Sequence, residues 1–337
     1  RENTAYYAKV LKEDVALAVD LISDILQNST IESIELKREC EVVIQEIYQS
    51  YDTPDDIIFD HFQETAYPNQ AVGRPVLGQP DLIKNISRET LLSYMRVKYS
   101  ASRIVFAAAG NVQHDYLVEL AETAFCNLPL ALTDNNEPMK YQGGDYREIR
   151  DLEQVHIVMG LDGVSYHDPD YYPISVLSTL LGGGMSSRLF QEVREKRGLV
   201  YSIYSFISSF EDGGIFGIYA GSGKSDVKEL IPIICCELKK LLEKINDDEL
   251  IRARSQLKAA TLMANESTTS RSEQIARQLQ IFDRVIPVNE VISQIENVKT
   301  SDLARISKRL LASKLTFTAL GPIQNVEVYS DIQKRLN

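Results

Sequence analysis

The pattern of apolar and polar positions in the first third of the chain returns in its second half. The strand-like run TAYYAKVL (4–11) leads through an Asp-Val pair into an amphipathic helix, a break and the helical run ELKRECEVVIQE (35–46). The run GIFGIYAG (214–221) leads in the same order to ELIRARSQLKAA (249–260). The offset is 212 residues at the Asp-Val pairs and 214 at the helical runs. This periodicity indicates an internal repeat.

A second pair of segments has nearly the same offset. Residues 85–112 predict a helix followed by a strand that ends on Gly110, and residues 297–323 predict the same pair of elements ending on Gly321. Their offset is 211 to 212 residues. Three landmarks that share one offset within three residues predict two copies of a single module.

The repeat predicts the fold class and the domain boundaries. We expect an α+β protein of two homologous modules, each a mainly antiparallel sheet packed with helices. The first module covers residues 1–130, the Pro-, Asn- and Gly-rich residues 131–143 form a linker, and the second module covers 144–337. The second copy has a strand over 153–161 and further helices that precede its repeated part, so the first module is expected to be incomplete.

Composition narrows the class of partner. The 337 residues are 44% hydrophobic, which excludes disorder. The sequence contains no apolar run of eighteen residues, so it predicts no membrane-spanning helix. A formal net charge of −12 disfavours nucleic acids and anionic membranes and favours a basic peptide. The four cysteines lack the spacing of a disulfide framework, and we expect reduced, mostly buried thiols in a cytosol-like compartment; they are Cys40, Cys126, Cys235 and Cys236.

Two glutamates in the first helical run are candidates for chemistry. Glu39 and Glu46 are seven residues apart, close to two helical turns, so they share a stripe with Val42 and Val43 that ought to be apolar. An acidic helix with its charges in water would explain them. The alternative is a functional site, because a buried carboxylate is normally paired with a cation or bound to a metal.

The repeat favours the functional interpretation. The second copy has Ala253 at the position of Glu39 and Ala260 at the position of Glu46. A core helix that accepts alanine at both positions does not need acids there for packing. We therefore expect the first copy to use these carboxylates at a site.

These residues carry a family resemblance over essentially the whole chain. The E-x6-E run, RENTAYYAKVL (1–11), YPNQAVGRPVLG (67–78) and RLFQEVREKRGLVYS (188–202) together resemble the pitrilysin and insulinase family of zinc endopeptidases. The nearest branch is that of the mitochondrial processing peptidase and its bacterial relatives. The resemblance implies a clam-like pair of modules that holds its substrate as an added strand in the cavity between them.

The resemblance also implies a metal site. In this family an inverted motif, H-x-x-E-H, supplies two zinc ligands and the general base, and a distant glutamate supplies the third ligand. Glu46 resembles that third Zn²⁺ ligand. Glu39 resembles the acid that supports the zinc site without binding the metal itself. No H-x-x-E-H occurs in the sequence, which opens at Arg1 without a methionine. We expect the motif to precede Arg1, so this chain would be catalytically incomplete.

Other chemical signals in the sequence are weak. The run beginning at His61 reads H-x-x-E but has Thr65 where a second histidine is needed, and it follows Glu46 instead of preceding it. The other three histidines are expected to be ordinary surface or core residues; they are His114, His156 and His167. The glycines at 182–184 lack the Gly-Lys-Ser/Thr of a phosphate-binding loop and predict a flexible connection between helices.

Arg194 and Tyr201 form the second candidate group, again seven residues apart. An arginine at a helix C-terminus and a tyrosine in a strand are common structural choices. The family resemblance implies more: such a pair reaches the zinc-bound substrate and donates hydrogen bonds to its backbone and to the developing oxyanion.

We therefore expect a zinc metalloendopeptidase that cleaves basic, unfolded or presequence-like peptides. It would act as a homodimer or with a partner subunit, in the bacterial cytoplasm or alternatively in the mitochondrial matrix. The competing hypothesis is a non-catalytic scaffold or regulatory subunit of a processing-peptidase-like complex. Retention of all four candidate residues favours the enzyme.

Overall fold

The computed structural model describes residues 1–129, 137–243 and 245–337. Within these ranges the strands form one five-stranded sheet in the order β1-β5-β2-β4-β3, in which only β1 and β5 run parallel. The strands are β1 (Gly144–Ile149), β2 (Gln154–Asp162), β3 (Val200–Ser209), β4 (Gly214–Gly223) and β5 (Thr316–Gly321).

Helices make up most of the remaining regular structure. In the described ranges, no helix is long and apolar enough to cross a membrane. A π-helix covers Phe190–Glu195. The α-helices are α1 (Val15–Asn28), α2 (Ser33–Tyr51), α3 (Pro54–Ala66), α4 (Pro80–Lys84), α5 (Arg88–Lys98), α6 (His114–Ala124), α7 (Tyr171–Gly182), α8 (Val227–Glu243), α9 (Asp247–Ala264), α10 (Thr268–Phe282), α11 (Val288–Asn297), α12 (Thr300–Leu311) and α13 (Tyr329–Leu336).

The chain forms two compact units, each of which combines three separate segments of the sequence. The first unit consists of Arg1–Ile47, Leu77–Glu137 and Leu262–Pro287. The second unit consists of Tyr48–Val76, Pro138–Thr261 and Val288–Asn337, and it contains the sheet. The predicted linear division into 1–130, 131–143 and 144–337 stays a prediction, and residues 131–136 of its linker lie outside the described residues.

The second unit buries both faces of its sheet. On one face α7, α8, α12 and α13 supply fully buried side chains such as Leu177 and Leu303 to the larger core. On the other face α3 packs Ile58 and Phe62 against the sheet. Gly160 of β2 makes this packing possible, because a Cβ atom there would lie 2.3 Å from Cζ of Phe62. The sheet is therefore an internal layer that holds the neighbouring helices and turns in place.

The helices confirm the α+β class and the predicted repeat. Val15 begins α1 and Val227 begins α8, while Arg88 begins α5 and Thr300 begins α12, each pair separated by 212 residues. The glycines that end the repeated segments also match in their backbone: Gly110 has φ 129° and Gly321 has φ 118°. This left-handed conformation favours glycine, which explains why both copies carry it there.

Two predicted strands of the first copy are wrong. Residues 4–11 and the segment before Gly110 lack strand structure in the described chain, although their counterparts in the second copy are β4 and β5. A strand is stable only when its N–H and C=O groups pair with a neighbouring strand. In the second copy β5 lies between β1 and β2, whereas the first-copy segments have no such neighbours among the described residues.

Candidate active site

Arg194 lies on the π-helix Phe190–Glu195, directly before strand β3. Leu189 and Val193 hold this helix against the core, since both are fully buried. The wider turn is closed by the Lys196 N–H, which donates to the carbonyl of Gln191 at 3.0 Å. Single π-turns occur frequently at functional sites, and this one sets the direction in which Arg194 leaves the backbone.

Gly198 ends the turn and redirects the chain into β3. Its φ of 64° is left-handed, and its N–H donates to the carbonyl of Arg194 at 2.9 Å. The next N–H, of Leu199, donates to the carbonyl of Val193 at 3.1 Å. Ser222 of β4 then donates its hydroxyl to the Leu199 carbonyl at 2.8 Å. The path from the π-helix to the strand is therefore fixed by hydrogen bonds on both sides of the glycine.

Tyr201 occupies a β-bulge on an edge strand. The pairing of β3 with β4 shifts between Val200 and Ser202, which leaves Tyr201 as the extra residue. Its side chain is 77% exposed, while Val200 beside it is buried. Bulges redirect side chains and are common next to active sites, and here the bulge turns an aromatic side chain into solvent.

The structure brings the predicted pair together. Cζ of Arg194 lies 5.4 Å from the centroid of the Tyr201 ring and 4.7 Å from the centroid of the Phe190 ring. Both distances are within the range of cation–π attraction. The sequence analysis named Arg194 and Tyr201 as substrate-contacting residues, but it predicted neither their mutual contact nor the contact with Phe190. The spacing of four residues between Phe190 and Arg194 is the signal that could have revealed the latter, because side chains so spaced are neighbours on a helix.

Acidic neighbours do not neutralise Arg194. Glu192 accepts hydrogen bonds from Lys196 and, at 2.9 Å, from Arg197. These bonds lower the pKa of Glu192 to about 2, so its carboxylate is charged and already occupied. Among the described residues Arg194 forms no ion pair of its own. Its N–H groups therefore remain available to an external acceptor.

Glu39 and Glu46 lie on α2 and are exposed to solvent. The prediction that they belong to an inward-facing stripe is wrong in this structure, because no residue of α2 is buried and Val42 on that stripe is 49% exposed. The physical reason is that the described residues of the first unit form no strand, so that unit offers the helix no sheet to pack against. At the equivalent position of α9, Ala253 is buried at 3% exposure, whereas Ala260 is exposed like Glu46.

The residues present do not fit a zinc site by themselves. In residues 1–129, 137–243 and 245–337, no three His, Cys, Asp or Glu side chains gather closely enough to hold a metal ion. Structural and catalytic zinc sites need at least three protein ligands, and Glu46 offers one carboxylate. Glu46 as a ligand and Glu39 as its support stay predictions. All four cysteines are free, but the expectation that most are buried is wrong, because only Cys235 is buried.

His61 belongs to a half-buried polar network instead of a metal site. Its ring stacks on Tyr146 at 4.2 Å, and its Nε2 lies 3.5 Å from Oε2 of Glu148. Glu148 also accepts a hydrogen bond from Tyr146 at 2.8 Å and one from Arg150 at 2.6 Å. Burial raises the pKa of Glu148, but the bonds from Arg150 and Tyr146 outweigh it and leave that pKa below its usual value. The sequence did not reveal this network, because His61 comes from α3 whereas the other members come from β1 and from the residue that follows it.

The glycines at 182–184 form a helix connection, as the sequence predicts. Gln256 of α9 donates to the carbonyl of Gly183 at 2.6 Å, and a Cβ atom on Gly182 would lie 2.3 Å from the backbone nitrogen of Ser205. Nearby, Arg188 forms two hydrogen bonds with Glu249, at 2.8 and 2.7 Å. This carboxylate makes the small cleft beside the glycines unsuited to a phosphate group.

Comparison with known proteins places these features in a family. Residues 85–257 match the family described as "Peptidase M16 inactive domain", and residues 1–80 match the family described as "Insulinase (Peptidase family M16)". An "Uncharacterized zinc protease" of Rickettsia felis is 37% identical, over 95% of this chain and 78% of that protein. The "Mitochondrial-processing peptidase subunit beta" of Homo sapiens is 32% identical, over 100% of this chain and 71% of that protein.

Solved structures share the fold. A chain of "Complex III2 from Candida albicans, Inz-5 bound" superposes with a TM-score of 0.83 at 21% identity, covering 97% of this chain and 81% of that chain. A "peptidase M16 inactive domain from Pseudomonas fluorescens" also gives a TM-score of 0.83, at 19% identity over 93% of this chain and 76% of that chain. Family matches and sequence relatives together establish that this chain belongs to the insulinase family, peptidase family M16, in the branch that includes the mitochondrial processing peptidase beta subunits.

Proposed function

We propose that this chain is part of a zinc-dependent metalloendopeptidase that cleaves peptides or presequence-like segments, and that Arg194 and Tyr201 bind its substrate. The observation that carries the proposal is the contact between these two side chains at the start of an edge strand. The names of the relatives, which are zinc proteases and processing peptidases, support the reaction class.

The chemistry of the pair suits a peptide carbonyl. A guanidinium carries five N–H donors and a phenol carries one O–H donor, so both side chains can donate hydrogen bonds to a carbonyl oxygen. Arg194 has no competing carboxylate among the described residues, and Tyr201 is 77% exposed. Donors fixed before the substrate arrives stabilise a developing oxyanion better than donors that must reorganise.

The metal would need residues beyond those of this sequence. We propose that Glu46 supplies one zinc ligand and that Glu39 supports the zinc site, while two histidines and a general base come from outside residues 1–337. Zinc would polarise the scissile carbonyl and a bound water. The described residues do not form that centre, so the proposal for this chain rests on the substrate-binding pair.

The substrate and the partner follow from charge and from the relatives. A net charge of −12 favours basic peptides at long range. The outer edge of β3 could accept a peptide as an added strand beside Tyr201. Several relatives, the human protein among them, are named as beta subunits, which supports work with a partner subunit. Relatives occur in bacteria and in mitochondria, and we propose the bacterial cytoplasm as the location.

A scaffold or regulatory subunit is the second candidate. The family that matches residues 85–257 is described as an inactive domain, and the described residues lack a cluster of metal ligands. Such a subunit would bind neither zinc nor substrate through the four candidate residues. The two candidates therefore differ in a property that can be measured.

Zinc content and peptide cleavage of the complete protein test the proposal. We expect about one zinc ion per chain in the wild type and a fall of at least tenfold in zinc affinity for Glu46→Gln. Glu41→Gln is the matched control, because Glu41 is exposed on the same helix and loses the same charge. If the complete wild type holds no zinc, or if both variants behave alike, the enzyme proposal fails and the scaffold candidate replaces it.

A further inference from the structure

Phe190 has an environment that core packing does not explain. Its neighbours Leu189 and Val193 are fully buried and anchor the π-helix. Phe190 is only half-buried and belongs to neither hydrophobic core of the described chain. Its ring instead lies against Arg194, with 4.7 Å between Cζ and the ring centroid. A large apolar side chain is thus placed beside a charged group instead of in the protein interior.

The two rings together restrict the guanidinium. Tyr201 contacts it from the bulge of β3 and Phe190 contacts it from the π-helix. An aromatic ring binds a guanidinium through its flat face, so the five N–H donors in the guanidinium plane stay available. A free arginine side chain loses rotamer entropy when it is immobilised. A side chain already held by two rings has less freedom left to lose on binding.

We infer that Phe190 is a positioning residue for peptide binding, whose ring holds the Arg194 guanidinium with its in-plane N–H donors directed at a peptide carbonyl. This inference rests on the proposed function, because it assigns a role within the same substrate-binding pair. It extends that function to a third residue: Phe190 and Arg194 lie next to each other on the π-helix while Leu189 and Val193 stay in the core.

The test compares Phe190→Leu with Phe190→Tyr in the complete protein. Leucine keeps an apolar side chain but removes the ring, and tyrosine keeps the ring. We expect Phe190→Leu to lower kcat/KM for a fluorogenic peptide about two- to fivefold, as for the loss of one cation–π contact at an exposed site. Phe190→Tyr should retain wild-type activity. In an Arg194→Ala background, Phe190→Leu should have no further effect.

A second measurement is independent of catalysis. In protein labelled with 15N at arginine Nε, the Arg194 signal should shift and its order parameter should fall in Phe190→Leu but not in Phe190→Tyr. An unchanged Arg194 signal in Phe190→Leu overturns the positioning role, as does an equal loss of activity with and without Arg194. If the signal responds but Arg194→Ala cleaves peptide normally, the positioning stands and the proposed function of Arg194 fails.

Discussion

Cζ of Arg194 lies 5.4 Å from the centre of the Tyr201 ring, although one residue ends a helix and the other begins an edge strand. Two local irregularities create this contact. The π-turn shifts the direction of Arg194, and the bulge between Val200 and Ser202 frees Tyr201 from the regular alternation of the strand. Both irregularities interrupt regular hydrogen bonding. Their presence at the two ends of one contact supports a functional reason for it.

Removal of the Tyr201 hydroxyl tests its role as a donor. We expect Tyr201→Phe to lower kcat of the complete protein about 100-fold, which is typical for loss of one donor to an oxyanion. The ring that contacts Arg194 is retained, so KM should change little. Tyr204→Phe is the control, because it removes a hydroxyl from the same strand. Equal kinetics for the two variants would show that the Tyr201 hydroxyl does not act in catalysis.

Gly198 is expected to resist substitution because of its backbone and not because of crowding. A Cβ atom there would meet no atom within 4 Å, but φ is 64°. Gly198→Ala should therefore lower the free energy of unfolding by about 1–2 kcal/mol, the cost of a left-handed residue. Gly198→Asn should cost less, because asparagine tolerates this conformation better. Urea unfolding at constant pH measures both, and an alanine variant as stable as the wild type would contradict the argument.

Gly160 presents the opposite case, in which space is limiting. Alanine would place a Cβ atom 2.3 Å from Cζ of Phe62, whose side chain is buried. We expect Gly160→Ala to lower the free energy of unfolding by about 1–3 kcal/mol through overpacking. Phe62→Leu removes the ring atoms at fault, so adding Gly160→Ala to Phe62→Leu should cost much less than it does in the wild type. Additive losses in urea unfolding would show that the two sites do not interact.

The sequence predicted the elements whose signals are local. The starts of α1 and α8 and the strands β2, β4 and β5 follow from apolar patterns and from the repeat. Residues 4–11 carry the same kind of pattern but form no strand, because pairing depends on neighbours that no local pattern contains. The family resemblance singled out Arg194 and Tyr201 as substrate-contacting residues, which stays a prediction, and the contact between their side chains was found only in the structure.

The spacing of Glu39 and Glu46 alone could not show whether the two side chains are buried or exposed. A seven-residue interval places Glu39 and Glu46 on one stripe of α2, but only the packing of other elements decides whether that stripe faces inward. The network around Glu148 was missed for a related reason. His61 comes from α3, Tyr146 and Glu148 come from β1, and Arg150 directly follows β1, so no sequence interval links His61 to the other three. Contacts between distant elements need the fold before they can be recognised.

The same network predicts a pH dependence of stability. His61 has a pKa below its usual value, chiefly because it is buried. Glu148 raises this pKa, Arg150 lowers it, and Glu64 and Asp60 raise it slightly. The net result is that the folded protein binds a proton at His61 less readily than the unfolded chain does.

The sign follows from proton linkage. The unfolded chain takes up a proton near the ordinary histidine pKa of about 6.5, and the folded protein does so only at lower pH. The stability that His61 contributes is therefore fully present above about pH 6.5 and is lost as the pH falls towards the folded-state pKa. One proton can account for a slope of at most about 1.4 kcal/mol per pH unit.

Urea unfolding between pH 7.5 and 5.5 should therefore give a smaller loss of stability for His61→Gln than for the wild type. His156, whose pKa is also lowered by burial, contributes in the same direction in both proteins, so the difference between them isolates His61. His114→Gln is the matched control, because His114 is exposed at the start of α6. If His61→Gln and His114→Gln lose stability equally with falling pH, the half-buried ring of His61 is not the source of the effect.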